Sequence, residues 1–357
     1  MDGLILPKGY KSPLSLRETQ KAIKITKDTF QNSLAKSLNL DRITAPVIVT
    51  ADSGINDDLS GVERKVSFDM LNIGGTAEEE NLTTILNFDK GMDMFGGTAE
   101  VVQSLAKWKR MALYRYGYSS GEGIYTDMSA IRRDDKGDSI HSIYVDQWDW
   151  ERVVDADDRN LDFLKDVVTK IVNCLADTKD AVNVAFPALT RTINRDVLFI
   201  TAQELEDMYP DLDPKERENK IVKEHGTVFL MQIGDKLKSG KKHDDRAPDY
   251  DDWALNGDIL VWNDVLGIAF ELSSMGIRVN AESLKSQLEK CDATDRLKFP
   301  YHKGIIDGTL PLTIGGGIGQ SRICMLMLEK AHIGEVQVSI WPQEMVDICK
   351  DNNIVLL

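Results

Sequence analysis

The stretch Gly315-Gly316-Gly317-Ile318-Gly319-Gln320-Ser321-Arg322 constrains this chain more than any other. A dinucleotide-binding G-x-G-x-x-G does not fit it, since counting from Gly315 and Gly317 puts Gln320 where the third glycine belongs. No Lys-Ser/Thr pair follows to close a P-loop. What stands is G-x-G-x-G-x-x-R running into an apolar segment, 323–328, that reads as a helix. Small residues let a backbone approach a ligand closely, and Arg322 falls in the first helical turn, where an anion would lie. A glycine hinge ahead of a core helix is the ligand-free reading of the same run.

The 357 residues allow one large domain or two ordinary ones. No apolar run approaches the ~18–20 residues of a membrane span. Met1-Asp2-Gly3-Leu4-Ile5-Leu6-Pro7-Lys8 lacks the basic start and apolar core of a secretory signal, so a cytoplasmic protein is expected. Cys174, Cys291, Cys324 and Cys349 are widely spread, as are the five histidines, which argues for reduced thiols and against zinc. A net charge of −15, distributed along the chain, disfavours a nucleic-acid partner. It leaves room for a small polyanion gripped by a few placed arginines.

Ser15-Leu16-Arg17-Glu18 is a capping box, and Ile23, Phe30, Leu34 and Leu38 continue it at helical spacing. A strand entered through Pro46 is expected over 39–49. Val66, Phe68 and Met70 alternate like a half-buried strand, and Val101-Val102 mark another. A helix follows over about 104–115. Leu161, Leu164, Val168, Ile171, Val172 and Leu175 predict a further helix. Thr201 with Glu204, and Asp213-Pro214 with Glu216, start two more, the second ending at Gly226. Strands are expected at 227–233, 257–262 and 268–273. Strands in succession without regular βαβ alternation predict an α+β fold, an antiparallel β-sheet flanked by helices.

Period two along a strand from His141 to Glu151 puts Ile143, Val145, Gln147, Asp149 and Glu151 on one face, and Tyr144, Asp146, Trp148 and Trp150 on the other. The large aromatics suit a core. Three polar residues in a row do not, and they suit either a solvated face or the floor of a site for an ammonium and an amide or carboxylate. Upstream, Arg132 in Ala130-Ile131-Arg132-Arg133-Asp134-Asp135 ends a hairpin strand and is placed to meet a phosphate, if it is more than a surface arginine. Ser104 and Lys109, at the start of the 104–115 helix, are candidates for a carboxylate-bearing substrate; a solvated basic face is the alternative. Asp249-Tyr250-Asp251-Asp252, Asp258 and the segment from Glu271 through Ser273 and Ser274 to Arg278 add carboxylates, hydroxyls and an arginine. Carboxylates without neighbouring histidine or cysteine suit Mg²⁺ rather than zinc.

In this order, the hairpin arginine, Q-x-D-x-E, E-L-x-x-x-x-x-R and G-x-G-x-G-x-x-R resemble the catalytic core of class II aminoacyl-tRNA synthetases, closest to the aspartyl and asparaginyl branch. Pro46 looks like the interface proline of that class. The long helix and Pro46 begin almost at the N-terminus, so the expectation is a single class II synthetase-like catalytic domain over 1–357. That leaves no room for an anticodon-binding barrel of roughly a hundred residues. Five long segments resemble the ammonia-dependent asparagine synthetase family, the aspartate–ammonia ligases. They are Ser104 to Arg110, Tyr144 to Val153, Arg246 to Trp253, Leu255 to Asn263 and Phe270 to Val279. His141 and Val145 stand where the synthetases would have an arginine and an adenine-stacking phenylalanine, so the base-stacking residues are left open.

The resemblance implies amidation of L-aspartate by ammonia through β-aspartyl-AMP, with release of pyrophosphate and AMP, and ATP and Mg²⁺ as requirements. It implies that Arg132 holds the α-phosphate, with Asp135, Gly317 and Gly319 beside the nucleotide and Arg322 at its far end. Asp258 and Glu271 would bind Mg²⁺. Lys109 and Arg278 would take the α-carboxylate, Ser104, Gln147 and Asp149 would surround the α-ammonium, and Asp251, Ser273 and Ser274 would make further contacts. Asp57, in Asn56-Asp57-Asp58-Leu59-Ser60-Gly61, would capture ammonium and accept its proton, unless it is only a turn residue. A homodimer is implied as well, with the 16–38 helix and the Pro46 strand against their symmetry mates. The alternatives are another class II adenylate-forming ligase or a catalytically silent module. The latter is disfavoured by the presence of both Arg132 and Arg322.

Overall fold

The computed structural model describes residues 3–56, 64–69 and 98–357. Helix α1 (Leu16–Leu38) opens on the expected capping box, in which Ser15 and Glu18 satisfy each other's backbone N–H groups. Strands β1 (Leu40–Arg42), β2 (Ile48–Thr50), β3 (Ser67–Asp69) and β4 (Thr98–Val101) follow, then helix α2 (Ala106–Tyr116) and the hairpin β5 (Gly123–Ile131) and β6 (Tyr144–Val153). Next come α3 (Leu161–Ala185), β7 (Leu198–Thr201), α4 (Ala202–Met208), α5 (Pro214–His225) and β8 (Thr227–Met231). The chain continues through β9 (Asp251–Asn263), β10 (Ile268–Arg278), α6 (Ala281–Lys290), α7 (Pro300–Ile306), β11 (Thr313–Gly319), α8 (Gln320–Met327) and α9 (Gln343–Asp351).

The α+β expectation holds. An eight-stranded sheet runs β1-β5-β6-β11-β10-β9-β8-β7, its six central strands antiparallel and a parallel pair at each edge. The single strand expected over 39–49 is two. β1 pairs with β5 in the large sheet, whereas β2 joins a separate three-stranded sheet in the order β2-β4-β3. Gly123 allows the first pairing, because a Cβ there would lie 2.6 Å from Leu40 Cδ2. β3 is exposed at all three residues, not half-buried, with Phe68 46 % accessible.

One face of the sheet packs on α1, α3 and α8 around Phe30, Leu34, Trp148, Trp150, Val168 and Ile323, all fully enclosed. The Phe30 and Trp148 rings lie 4.9 Å apart. That burial accounts for the aromatic face of β6. On the other side, Trp108 and Leu113 of α2, Leu284 of α6 and Tyr301 of α7 form a second core. Between that core and the sheet the polar row of β6 is left facing a cleft. Among the described residues no helix is long and apolar enough to cross a membrane.

Candidate active site

The glycine run is a strand, not a loop: Gly315 to Gly319 lie in β11, hydrogen-bonded between β6 and β10. None of its glycines has a positive φ, so they are required for space and not for backbone conformation. β11 pairs Gly319 with Gln147, Gly317 with Asp149 and Gly315 with Glu151. A Cβ at Gly317 would stand 2.5 Å from Gln147 Oε1 and 2.9 Å from Asp149 Oδ1, and one at Gly315 would stand 2.0 Å from Glu151 Oε2. The glycines give the polar side chains of the next strand room to lie flat across the sheet.

Those side chains form the floor of a cavity of about 760 Å³. Gln147 and Asp149 come from β6, Gly317 and Gly319 from β11, and Glu271, Ser273, Ser274 and Arg278 from β10. An extra residue, Leu272, interrupts the β10–β9 register between Glu271 and Ser273, the kind of bulge that re-aims side chains beside a site. Ser104 and Lys109 enter from α2, Arg132 and Asp135 from the β5–β6 connection, Asp251 from the start of β9 and Arg322 from α8. Twelve positions far apart in the chain, plus the two glycines, thus reach one cavity, as the sequence motifs imply. Asp57 lies outside the described residues.

Three expected site residues stand differently. Glu151, read as part of the floor, is wholly enclosed below it and holds Arg278: Nε donates to Oε1 at 3.0 Å and Nη2 to Oε2 at 2.7 Å. Arg278 also pairs with Asp251. Asp258, expected as a metal ligand, is buried and does not line the cavity; its Oδ2 is covered by Arg246. Arg322 is in the first turn of α8, where the Ser321 N–H is already taken by Asp146 Oδ1 at 3.0 Å. The Arg322 guanidinium instead lies over Phe270, 5.8 Å from its ring centre, and donates to the Glu271 carbonyl at 3.0 Å.

Electrostatics bind these groups together. Lys109 Nζ, almost fully buried, donates to Asp149 Oδ1 at 3.1 Å and to the Gly316 carbonyl at 3.0 Å, leaving one of its three donors. Burial lowers its pKa, with Asp149 opposing. Burial raises the carboxyl of Glu151, but Arg278 and Lys109 outweigh it and hold the group below its ordinary range. Asp251 is pushed up by burial despite Arg278. Asp258 is pushed up to about 7 by burial, opposed by Arg246 and reinforced by Glu271 and Asp244.

Five polar atoms of cavity-lining residues are buried without a hydrogen-bond partner among the described residues: Asp149 Oδ2, Ser273 Oγ, Arg132 Nε, Arg246 Nε and Gln337 Oε1. An unmatched buried group costs about 1–3 kcal/mol, so a cluster of them around one cavity points to a ligand that completes them. One is an acceptor suited to an ammonium, one a cation suited to a phosphate. Arg132 is held where its strand ends, its N–H donating to the Ile143 carbonyl at 2.9 Å. Among the described residues no group of three or more carboxylate, histidine or cysteine side chains is arranged to hold a metal. The pair Asp258 and Glu271, with Asp258 Oδ1 buried and unpartnered, fits a hard cation that takes its other ligands from phosphates.

Arg246 is a charged cavity residue to which sequence reasoning gave no role. It lies in one of the family-like segments, and the signal was its place between Asp244-Asp245 and Asp249-Tyr250-Asp251-Asp252, a lone cation among carboxylates.

The chain resembles known proteins in sequence and in fold. The family model described as aspartate-ammonia ligase matches residues 17–353. The aspartate–ammonia ligase of Clostridium tetani is 54 % identical over 99 % of this chain and 98 % of its own length. That of Limosilactobacillus reuteri is 52 % identical over 99 % of each. In structure the chain is similar to asparaginyl-tRNA synthetase from Pyrococcus horikoshii complexed with asparaginyl-adenylate: TM-score 0.59, 14 % identity, 91 % of this chain and 70 % of that one. It is also similar to the asparaginyl-tRNA synthetase of Entamoeba histolytica: TM-score 0.56, 15 % identity, 92 % and 68 % coverage. At that identity the likeness is one of fold.

Proposed function

Since the chain belongs to the aspartate–ammonia ligase family, we propose how its cavity carries out the family's reaction and which residues serve each step. The chain is an enzyme that makes asparagine from aspartate and ammonia, with ATP as the activating substrate. A β-carboxylate oxygen of aspartate attacks the α-phosphorus of ATP. The bond to the bridging α–β oxygen breaks, and pyrophosphate leaves. The ammonia nitrogen then adds to the β-carbonyl carbon, the C–O bond to AMP breaks, and AMP departs with the electron pair. Neither step needs a covalent protein intermediate, so positioning and charge stabilisation dominate.

Aspartate lies on the β6 floor. Its α-ammonium meets Asp149 Oδ2, Gln147 and Ser104, and its α-carboxylate meets the remaining donor of Lys109 and Arg278. Asp251, Ser273 and Ser274 make the further contacts. Arg132 takes the α-phosphate, with Asp135, Gly317 and Gly319 beside the nucleotide and Arg322 at its far end. Asp258 and Glu271 would hold Mg²⁺, which when bound neutralises phosphate charge and draws electrons from phosphorus. Asp57 takes a proton from ammonium, a role that rests on the sequence alone. The observation that carries this reading is the cluster of unpartnered buried atoms around one cavity, Asp149 Oδ2, Ser273 Oγ and Arg132 Nε among them.

The test is aspartate-dependent exchange of pyrophosphate into ATP with neither tRNA nor ammonia present, followed by asparagine and AMP formation when ammonium is added. Exchange that requires tRNA, or ADP as product, overturns it. A cytoplasmic homodimer fits the same reading. The apolar face of α1 is taken by α3 and α8 of its own chain, so the surface a second copy would cover is Val47, Ile48 and Phe68, each 44–57 % accessible. Sedimentation showing a monomer at micromolar concentration excludes the dimer.

A further inference from the structure

Asp258 stands in a central strand, yet it does not line the cavity that would need it. What lines the cavity in its place is Arg246. The Arg246 guanidinium pairs with Asp258 Oδ2 through Nη2 and with Asp244 Oδ2 through Nη1 at 3.0 Å, and Nη1 also donates to the Asp245 carbonyl at 2.8 Å. Among the described residues its Nε is buried with no partner, and so is Asp258 Oδ1. The two partners differ in mobility of support. Asp258 and Glu271 are fixed on adjacent sheet strands, whereas Arg246 sits within 243–250, which belongs to no helix or strand.

We propose that Arg246 is the resident counter-ion of the metal pair, covering Asp258 in the nucleotide-free enzyme and giving way when the cation arrives with ATP. This deepens the reading of Asp258 and Glu271 as metal ligands and rests on it. A guanidinium and a divalent cation cannot share Asp258 Oδ2 at contact distance, since like charges a few ångströms apart repel strongly in a buried site. Free metal therefore has to break the pair between Arg246 Nη2 and Asp258 with no phosphate to receive the freed guanidinium. With ATP present, the displaced guanidinium has phosphate oxygens to receive it. The exchange conserves charge pairing on both sides and makes metal binding conditional on nucleotide. Arg246 is in this sense a positioning residue for the cation and a ligand of the phosphates only in the loaded state.

The experiment measures Mn²⁺ binding to the nucleotide-free protein by the electron paramagnetic resonance of free Mn²⁺. Wild type, Arg246→Gln, and the double variant Arg246→Gln with Asp258→Asn are compared. Arg246→Gln should bind Mn²⁺ at least about tenfold more tightly than wild type, a difference of the size that losing one close, largely buried charge pair supports. The double variant should lose that gain. Equal Mn²⁺ affinity in wild type and Arg246→Gln overturns the inference. If Arg246→Gln does not fold, the wild type decides by nitrogen NMR of its arginine side chains, with Arg246→Lys identifying the signal. The Arg246 resonance should be unmoved by Mg²⁺ alone and shift with Mg²⁺ plus a non-hydrolysable ATP analogue; a resonance that the analogue leaves in place overturns the exchange. Asp258→Asn alone, loaded with the analogue, separates the two readings. Undiminished Mn²⁺ binding there refutes the metal pair itself, whereas a lost site with no Arg246 effect refutes only the exchange.

Discussion

Glu151 and Arg278 meet beneath the cavity floor in a two-pronged ion pair, Nε to Oε1 at 3.0 Å and Nη2 to Oε2 at 2.7 Å, across the strand that carries Gly315. Thr313 donates to the same carboxylate at 2.7 Å, so Glu151 reaches no ligand and acts by aiming Arg278. Glu151→Gln leaves a buried guanidinium short of its charge partner, and removing one partner of such a pair costs about 3–5 kcal/mol. Urea denaturation should show a loss of about 3 kcal/mol. The aspartate KM should rise by a larger factor than kcat falls, because the damaged contact is to the substrate's carboxylate. An unchanged KM would show that Arg278 is not a substrate contact.

The glycines of β11 should differ in their tolerance of alanine. At Gly315 a Cβ would lie 2.0 Å from Glu151 Oε2 and 2.7 Å from Arg278 Nη2, both locked in the buried pair. Gly315→Ala should destabilise by about 2 kcal/mol or more. At Gly319 the nearest atom would be Arg322 Cβ at 3.3 Å, so Gly319→Ala should cost less. Thermal melts of both variants test the order, and equal losses would contradict it. Gly317→Ala should fold but raise the aspartate KM, since its Cβ would push Gln147 and Asp149 aside.

Arg132→Ala removes the cation assigned to the phosphorus under attack. Loss of one such preorganised contact lowers kcat about a hundredfold or more. Steady-state kinetics that show only a raised ATP KM, with kcat near wild type, would reassign Arg132 to nucleotide binding.

His332 should make the fold sensitive to acid. Its ring is fully enclosed, its Nδ1 accepts from the Gly334 N–H at 3.0 Å, and Trp341 packs edge-on at 4.8 Å. Burial depresses its pKa from 6.5 to about 4. A histidine depressed in the folded state contributes its full stability above pH 6.5 and loses it as the pH falls from there towards 4. By linkage the whole loss is about 3 kcal/mol. Urea denaturation between pH 7 and 4.5 should show a decline that is shallower in His332→Asn. Identical slopes would place the acid sensitivity elsewhere.

Asp57→Asn should separate the two half-reactions. Pyrophosphate exchange should persist while asparagine formation collapses. If both fall together, Asp57 serves adenylation or folding.

Much of this was legible in the sequence because it is local. The Ser15 and Thr201 capping boxes, the proline start at Pro214 and the two faces of β6 follow from spacing alone, and all four appear in the fold. The order of motifs also named twelve of the side chains that line the cavity, though not Arg246, and it named Asp258, which does not line it. What only the tertiary structure decided is which of those groups have their charges already engaged. Asp258 and Glu151 look alike in sequence to Asp149, a carboxylate on a strand near the motifs. Yet one is capped by an arginine from a loop twelve residues upstream, one is consumed by an arginine 127 positions away, and one keeps a bare oxygen in the wall. The reason is physical. Period and propensity act over a few residues, whereas a buried charge takes whichever opposite charge the folded chain brings within reach.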